Sequence, residues 1–348
     1  MKLRKFQILR LILGILFLFI FVILAVISSH LSKLLLSQQA AERWQNETPS
    51  EQISLFFKSD SAFSTADLQS VHESIEEALL AQSLTPENKY SRLWYDAYST
   101  PAGKMTVTGK RETPADAEVT VIGGDFFLIH PLKLVSGVYF SEQDIMQDRV
   151  LIDTRLAWQL FGSSDASGMT VTIQGKAYFI AGVIQPEEDY ASETAYGTLP
   201  RMYIPYQMYQ KIAGEETGHI QCYEAVLPNP VKGFARTMLT KILNPDDYSG
   251  IFLKNTGRWK LSGRWDTLKN LKKLLICESV TYPYWENAAR IISYDTAILL
   301  LFEIISLIYP VIYMIYLICK AYCSFNKYIA KKRYAWKNHY HSPMHTNS

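Results

Sequence analysis

The stretch Val119–Ile184 reads VTVIGGDFFLIHPLKLVSGVYFSEQDIMQDRVLIDTRLAWQLFGSSDASGMTVTIQGKAYFIAGVI. Val119 and Val121 alternate with Thr120 up to a break at Gly123-Gly124, a half-buried strand pattern. Lys133–Phe140 is a second extended segment, interrupted by Gly137, and Arg149–Asp153 is a short apolar strand. Thr154–Phe161 is predicted as a helix with Leu156, Ala157, Leu160 and Phe161 on one face. Gly162 ends it, where a left-handed residue is needed and glycine takes that conformation freely. Thr170–Ile173 and Ala177–Val183 form a hairpin around Gln174-Gly175. The result is a small β-rich module with one helix. Phe161 is expected beneath the hairpin, and His130 in a loop.

Outward from this module the pattern changes. Ile53–Phe57 reads as a strand and Thr65–Leu80 as an amphipathic helix, with Ala66, Leu68, Val71, Ile75, Leu79 and Leu80 apolar. Leu93–Thr100 and Lys104–Gly109 read as two strands. After the module, Gln185–Leu199 is polar and predicted to be a loop. Met202–Pro205, Ile220–Leu227 and Ile251–Lys254 are predicted strands. Gln207–Ile212, Lys232–Leu243 and Trp265–Ile276 are predicted helices. The expected fold class is α+β: a split strand–helix–strand layer, with the β-rich module inserted at about 119–190.

Two apolar segments flank this unit. Leu11–Ile27 has no polar side chain, and with its neighbours it reaches the length a bilayer needs. Its continuation, His30–Gln45, is predicted to be helical. Ala297–Cys319 is apolar and aromatic apart from Glu303, Ser306 and Pro310. Lys2, Arg4, Lys5 and Arg10 precede the first segment. Lys320, Lys327, Lys331, Lys332, Arg333 and Lys337 follow the second. By the positive-inside rule both termini lie in the cytoplasm and the large unit outside. The expected organisation is a basic N-terminus at 1–8, a transmembrane helix at 9–28, an extracytoplasmic unit at 29–294, a transmembrane helix at 295–319 and a basic tail at 320–348.

Chemistry is hard to place on this chain. There is no G-x4-G-K-[ST] phosphate loop, no G-x-S-x-G elbow and no H-E-x-x-H pair. The formal net charge of +2 gives no global field for nucleic acid. No cofactor or metal is expected; His339, His341 and His345 read as part of a solvated tail. Cys222 and Cys277 would both lie outside, where a bridge could form. Tyr203, Tyr206 and Tyr209 read as packing residues in preference to an exposed stripe. Glu303 is the one acid inside an apolar span, where a charge is costly unless paired or neutral. It is expected to contact another membrane helix, on a partner polypeptide. The alternative is a protonated carboxyl with no partner role.

The central stretch also resembles the extracytoplasmic core domain of the MacB/FtsX-like ABC transporter permeases. The matching positions are Gly124 and Phe127; Gly137, Phe140 and Asp144; Val150–Ile152; Leu160-Phe161-Gly162; Gly168, Val171, Ile173 and Gly175; and Phe179 to Val183 with Gly182. Val138 departs from the pattern, which usually has a basic residue there. The resemblance is clearest over Val119–Pro205. It implies a non-catalytic membrane component that works with an ABC ATPase subunit, other permease-like subunits, or both, passing conformational change through helical stalks in an export or envelope-associated assembly. The family has two further spans, and no apolar run after Lys320 is long enough for one. A stand-alone membrane-anchored binding or sensing unit is therefore the alternative.

Overall fold

The computed structural model describes residues 2–44, 48–59, 61–89, 91–111, 113–214, 219–244, 248, 250–271 and 280–340. It divides into two compact units, Ser32–Asp295 and a helical unit made of residues 2–31 with 296–340. The helices are α1 (Lys2–Leu31), α2 (Ala40–Arg43), α3 (Thr65–Leu80), α4 (Phe126–Ile129), α5 (Thr154–Phe161), α6 (Tyr190–Tyr196), α7 (Tyr206–Ala213), α8 (Phe234–Ile242), α9 (Leu261–Lys269) and α10 (Tyr284–Tyr340). The strands are β1 (Ser50–Phe57), β2 (Tyr95–Thr108), β3 (Ala115–Gly124), β4 (Lys133–Gly137), β5 (Arg149–Asp153), β6 (Thr170–Ile173), β7 (Lys176–Gln185), β8 (Arg201–Pro205), β9 (Cys222–Pro228) and β10 (Gly250–Lys254).

The strands of the large unit pair in the order β10-β1-β9-β2-β3-β8-β5-β7-β4, and β6 bridges β2 and β7. That bridge closes β2-β3-β8-β5-β7-β6 into a ring. β10, β1 and β9 remain outside it as an open wing sharing β2. The ring contains the expected β-rich module, and α5 lies against its strands β3, β5, β7 and β8. The architecture is α+β, as the sequence pattern implies.

Local chemistry explains the ring's turns. Asp153 caps α5 by accepting from the Leu156 amide at 2.8 Å, and Gly162 closes it in the left-handed conformation at φ 72°. Gly137 pairs with Gly182 where β4 meets β7. A Cβ on Gly182 would lie 2.8 Å from the Val138 carbonyl oxygen and 2.9 Å from that of Ser136, so this crossing takes only glycine.

Four local expectations change. Leu156, Ala157 and Leu160 are the fully enclosed residues of α5; Phe161 is only partly covered, because it follows Leu160 by one position and turns to the rim of the core. The two strands expected across Leu93–Gly109 are one strand, β2, with a bulge between Pro101 and Gly103 that absorbs the proline. The polar stretch after Gln185 contains α6, started by Asp189 accepting from the Ala191 and Ser192 amides. Helix α1 stops at Leu31; a short 3₁₀ turn at Leu36–Gln38 and then α2 replace the predicted continuation. Of the helix predicted over Trp265–Ile276, residues 272–276 lie outside the described residues.

In the helical unit, Tyr309 donates to the Arg10 carbonyl at 3.3 Å and its ring lies 5.6 Å from that of Phe17. Gly14 faces the Tyr309 and Tyr313 rings. Both α1 and α10 contain segments long and apolar enough to cross a membrane.

Candidate functional site

Strand β1 alternates with period two. Ile53, Leu55 and Phe57 enter one core, where α3 contributes Leu68, Val71, Ile75 and Leu79. Its other face carries Gln52, Ser54 and Phe56, and β9 continues that face with Cys222, Glu224 and Val226. A half-exposed sheet would give polar residues such as Gln52, Ser54 and Glu224 to water. Here all three are buried. Buried polar groups need partners: Gln52 finds them in the incoming segment, and Ser54 and Glu224 find them in each other, Asn255 and His130.

The first end is the incoming segment after α1. Gln52 holds it with both ends of its amide: Oε1 accepts from the Ala40 amide at 2.9 Å, and Nε2 donates to the Ser37 carbonyl at 2.7 Å. Asn255, just past β10, donates through Nδ2 to Gln38 Oε1 at 2.7 Å.

The second end is the root of α10, its first three turns, Tyr284–Asp295. Arg258 makes a bidentate pair with Glu286 at 2.7 and 2.8 Å, and its Nε donates to Ser293 Oγ at 2.9 Å. Trp259 donates to the same hydroxyl at 3.1 Å. Glu286 is 0% exposed and the Arg258 side chain 8%, so this is a buried, geometrically matched ion pair. Tyr284 donates to Glu187 at 3.0 Å, which leaves Tyr203 as the donor in the 3.1 Å contact between the two tyrosine hydroxyls. Burial raises the Glu187 carboxyl above its ordinary value, against the opposing hydrogen bonds. Burial also pushes the Tyr284 hydroxyl well up.

Between the two ends sits His130. It lies outside the helices and strands, as the sequence implied, but it is enclosed there. It caps α4, is 3% exposed, and its Nε2 lies 2.6 Å from Glu224 Oε2. The Ser54 hydroxyl lies 2.9 Å from the other Glu224 oxygen and 3.0 Å from Asn255 Oδ1. The ring of Trp285 covers His130 at 4.5 Å. Beside it lies a cavity of about 270 Å³, lined in part by Leu34, Leu36, Leu132, Glu187 and Trp285. The site is thus a polar hub on the wing's second face: Gln52 fastens the incoming segment to β1, and Arg258, just past β10, fastens the root of α10.

Most of these residues carry no sequence signal. Gln52, Ser54 and Glu224 look like a solvated strand face, and Arg258 and Glu286 are 28 residues apart. The alternation of β1 and β9 identifies the face but not its cover.

The residues singled out from sequence fall elsewhere, mostly in the ring. Phe127 stacks on Tyr139 at 4.4 Å, Phe140 is buried, and the Asp144 side chain accepts from the Ser141 amide at 3.1 Å. Gly124 ends β3, and Gly168 and Gly175 stand in the turns before and after β6. Tyr203 and Tyr206 are buried, in line with packing. Glu303 is 5% exposed in the helical unit. Cys222 is a free, buried thiol, and Cys277 lies outside the described residues, as do His341 and His345. No group of metal-binding side chains occurs among the described residues.

A family model described as the MacB-like periplasmic core domain matches residues 9–232, more than half of the chain. The macrolide export ATP-binding/permease protein MacB of Neisseria gonorrhoeae is 30% identical over 99 residues, 27% of this chain and 15% of that protein. The MacB protein of Neisseria meningitidis matches to the same extent. The chain therefore aligns with only a small part of the length of these relatives. Among solved structures, the periplasmic region of MacB from Actinobacillus actinomycetemcomitans aligns with a TM-score of 0.44 at 15% identity, covering 64% of this chain and 92% of that one. The extracellular domain of the noncanonic ABC-type transporter YknZ from Gram-positive bacteria aligns with a TM-score of 0.37 at 17% identity, covering 58% and 99%.

Proposed function

Because the chain belongs to the family of the MacB-like periplasmic core domain, we propose that it is a non-catalytic, permease-like component of an ABC-type export or envelope assembly. In this reading α1 and α10 cross the cell membrane, both termini are cytoplasmic and the Ser32–Asp295 unit is extracytoplasmic. The basic residues outside each apolar run support that orientation. An ATPase subunit, other permease-like subunits, or both, act on the cytoplasmic side.

The observation that carries the reading is the buried Arg258–Glu286 pair at the root of α10. It fixes a helix that also contains the second apolar span to the loop that follows β10. A displacement along α10 is then delivered to the wing, where a loosely packed root would dissipate it. The neighbouring cavity gives the Trp285 side space to shift. The role of the hub is to hold and transmit.

The test is affinity purification of the tagged full chain from gently solubilised membranes, with crosslinking beforehand. The expected result is a nucleotide-binding ATPase subunit that copurifies, and whose ATP hydrolysis responds to Glu286→Ala in the complex. Recovery of the chain without any ATPase subunit, crosslinked or not, rejects the reading in favour of a stand-alone unit.

A further inference from the structure

Helix α10 does not stop where its apolar run stops. It continues unbroken to Tyr340, about 30 Å past Cys319 at 1.5 Å per residue. The sequence after Glu303 has no Asp or Glu, and Lys320, Lys327, Lys331, Lys332, Arg333 and Lys337 fall within this extension. Tyr322, Phe325, Tyr328, Tyr334 and Trp336 are each more than half exposed.

The arrangement is not random around the helix. At about 100° per residue, Tyr322, Phe325, Ile329 and Trp336 fall within an arc of roughly 60°, with Tyr328 and Tyr334 outside it. Lys332 and Arg333 flank that arc, and Lys320, Lys327 and Lys331 share the opposite face. A cationic helix with an aromatic face, beginning at the residue after an apolar span, has the composition of a segment that binds a negatively charged bilayer surface.

We propose that Lys320–Lys337 docks on anionic lipid headgroups of the leaflet from which α10 emerges, with its aromatic face at the acyl boundary. The inference rests on α10 crossing the bilayer, as in the proposed function, but not on which side the tail lies. An acidic protein surface is disfavoured because the cations stand on both sides of the aromatic arc and start at the membrane edge. Lys320–Lys327 lie within about 12 Å of the span and reach headgroups directly. The later cations reach them if the helix leans over near Ser324 and Asn326, the weakest helix formers of that turn.

The experiment is hydrogen exchange of the full chain in nanodiscs of phosphatidylcholine, with and without phosphatidylglycerol. Exchange over 320–337 is expected to slow roughly tenfold with the anionic lipid and to recover in high salt. A variant with all six cations changed to Gln, Lys320→Gln through Lys337→Gln, is expected to lose the effect while 284–319 exchanges as in wild type. Equal exchange in both kinds of disc overturns the proposal, as does slowing that survives in the Gln variant. Slowing that appears only when an ATPase subunit is added overturns it in favour of a protein partner. Both disc faces carry the same lipid, so the result is independent of orientation. Orientation is read separately, by labelling a cysteine placed at position 345 with an impermeant reagent in intact cells. Labelling there breaks the proposed topology and leaves the lipid contact standing.

Discussion

The chain enters and leaves its large unit in two different ways. On the incoming side, α1 ends at Leu31, and a 3₁₀ turn and one turn of helix intervene before β1. Among the described residues that segment is held without an ion pair, by the neutral Gln52 amide and by Arg43, which donates to the Leu128 and Ile129 carbonyls at 2.9 Å. On the outgoing side, α10 is one helix from Tyr284 onward, held by a bidentate ion pair, a shared serine and a tyrosine–glutamate contact. Neutral bonds of the first kind contribute about 1 kcal/mol each, whereas a buried charge left without its partner costs several. The two junctions are therefore unequal: the first is a compliant tether and the second a stiff root.

The largest expected effect tests the root. Glu286→Ala leaves the Arg258 guanidinium buried without its counterion and should cost about 3–5 kcal/mol. Thermal melts of the full chain in detergent measure it. Replacing Arg258 and Glu286 together by Leu should cost much less, since no orphan charge remains. If the single and double variants melt alike, charge pairing is not what secures the root.

A smaller effect is expected at the tether. Gln52→Ala strands the Ala40 amide and the Ser37 carbonyl and should cost about 1–3 kcal/mol. Should it match Glu286→Ala in the same melts, the junctions are equally stiff and the contrast fails.

The smallest effect is a pH dependence at the root. The folded protein raises the Glu187 carboxyl above its ordinary value of 4.5, through burial. Its proton is held more tightly in the folded state. The associated stability is complete below about pH 4.5 and is lost as pH rises through the raised value. Glu187→Gln can still accept from Tyr284 and removes this titration. The variant is expected to gain on wild type as pH rises and to match it in acid; parallel pH curves would place the titrating group elsewhere.

The ring and the hub differ in how far sequence reveals them. Gly137, Gly162 and Gly182 are needed where chains cross or a helix ends, and those needs are local, so the ring's order is legible from Val119–Ile184. The apolar runs announce α1 and α10 for the same reason. Phe161 shows the limit: periodicity marks α5's inner face but not which of two adjacent residues reaches its centre. The hub is long-range throughout. His130 meets Glu224 across 94 residues, and Asn255 meets Gln38 across 217. Nothing within a window of sequence distinguishes these from surface residues. Only the covering of the wing's second face makes them partners.

Cys222 draws a further consequence from that covering. It sits in β9 on the hub face, buried, with its thiol pushed well above the ordinary value by that burial. A thiol reacts as its thiolate, so Cys222 is inert while β9 is covered. Its modification rate is then a stopwatch for the face itself, ticking only when β9 is uncovered. Cys319 and Cys323 are exposed on α10 and keep no such time.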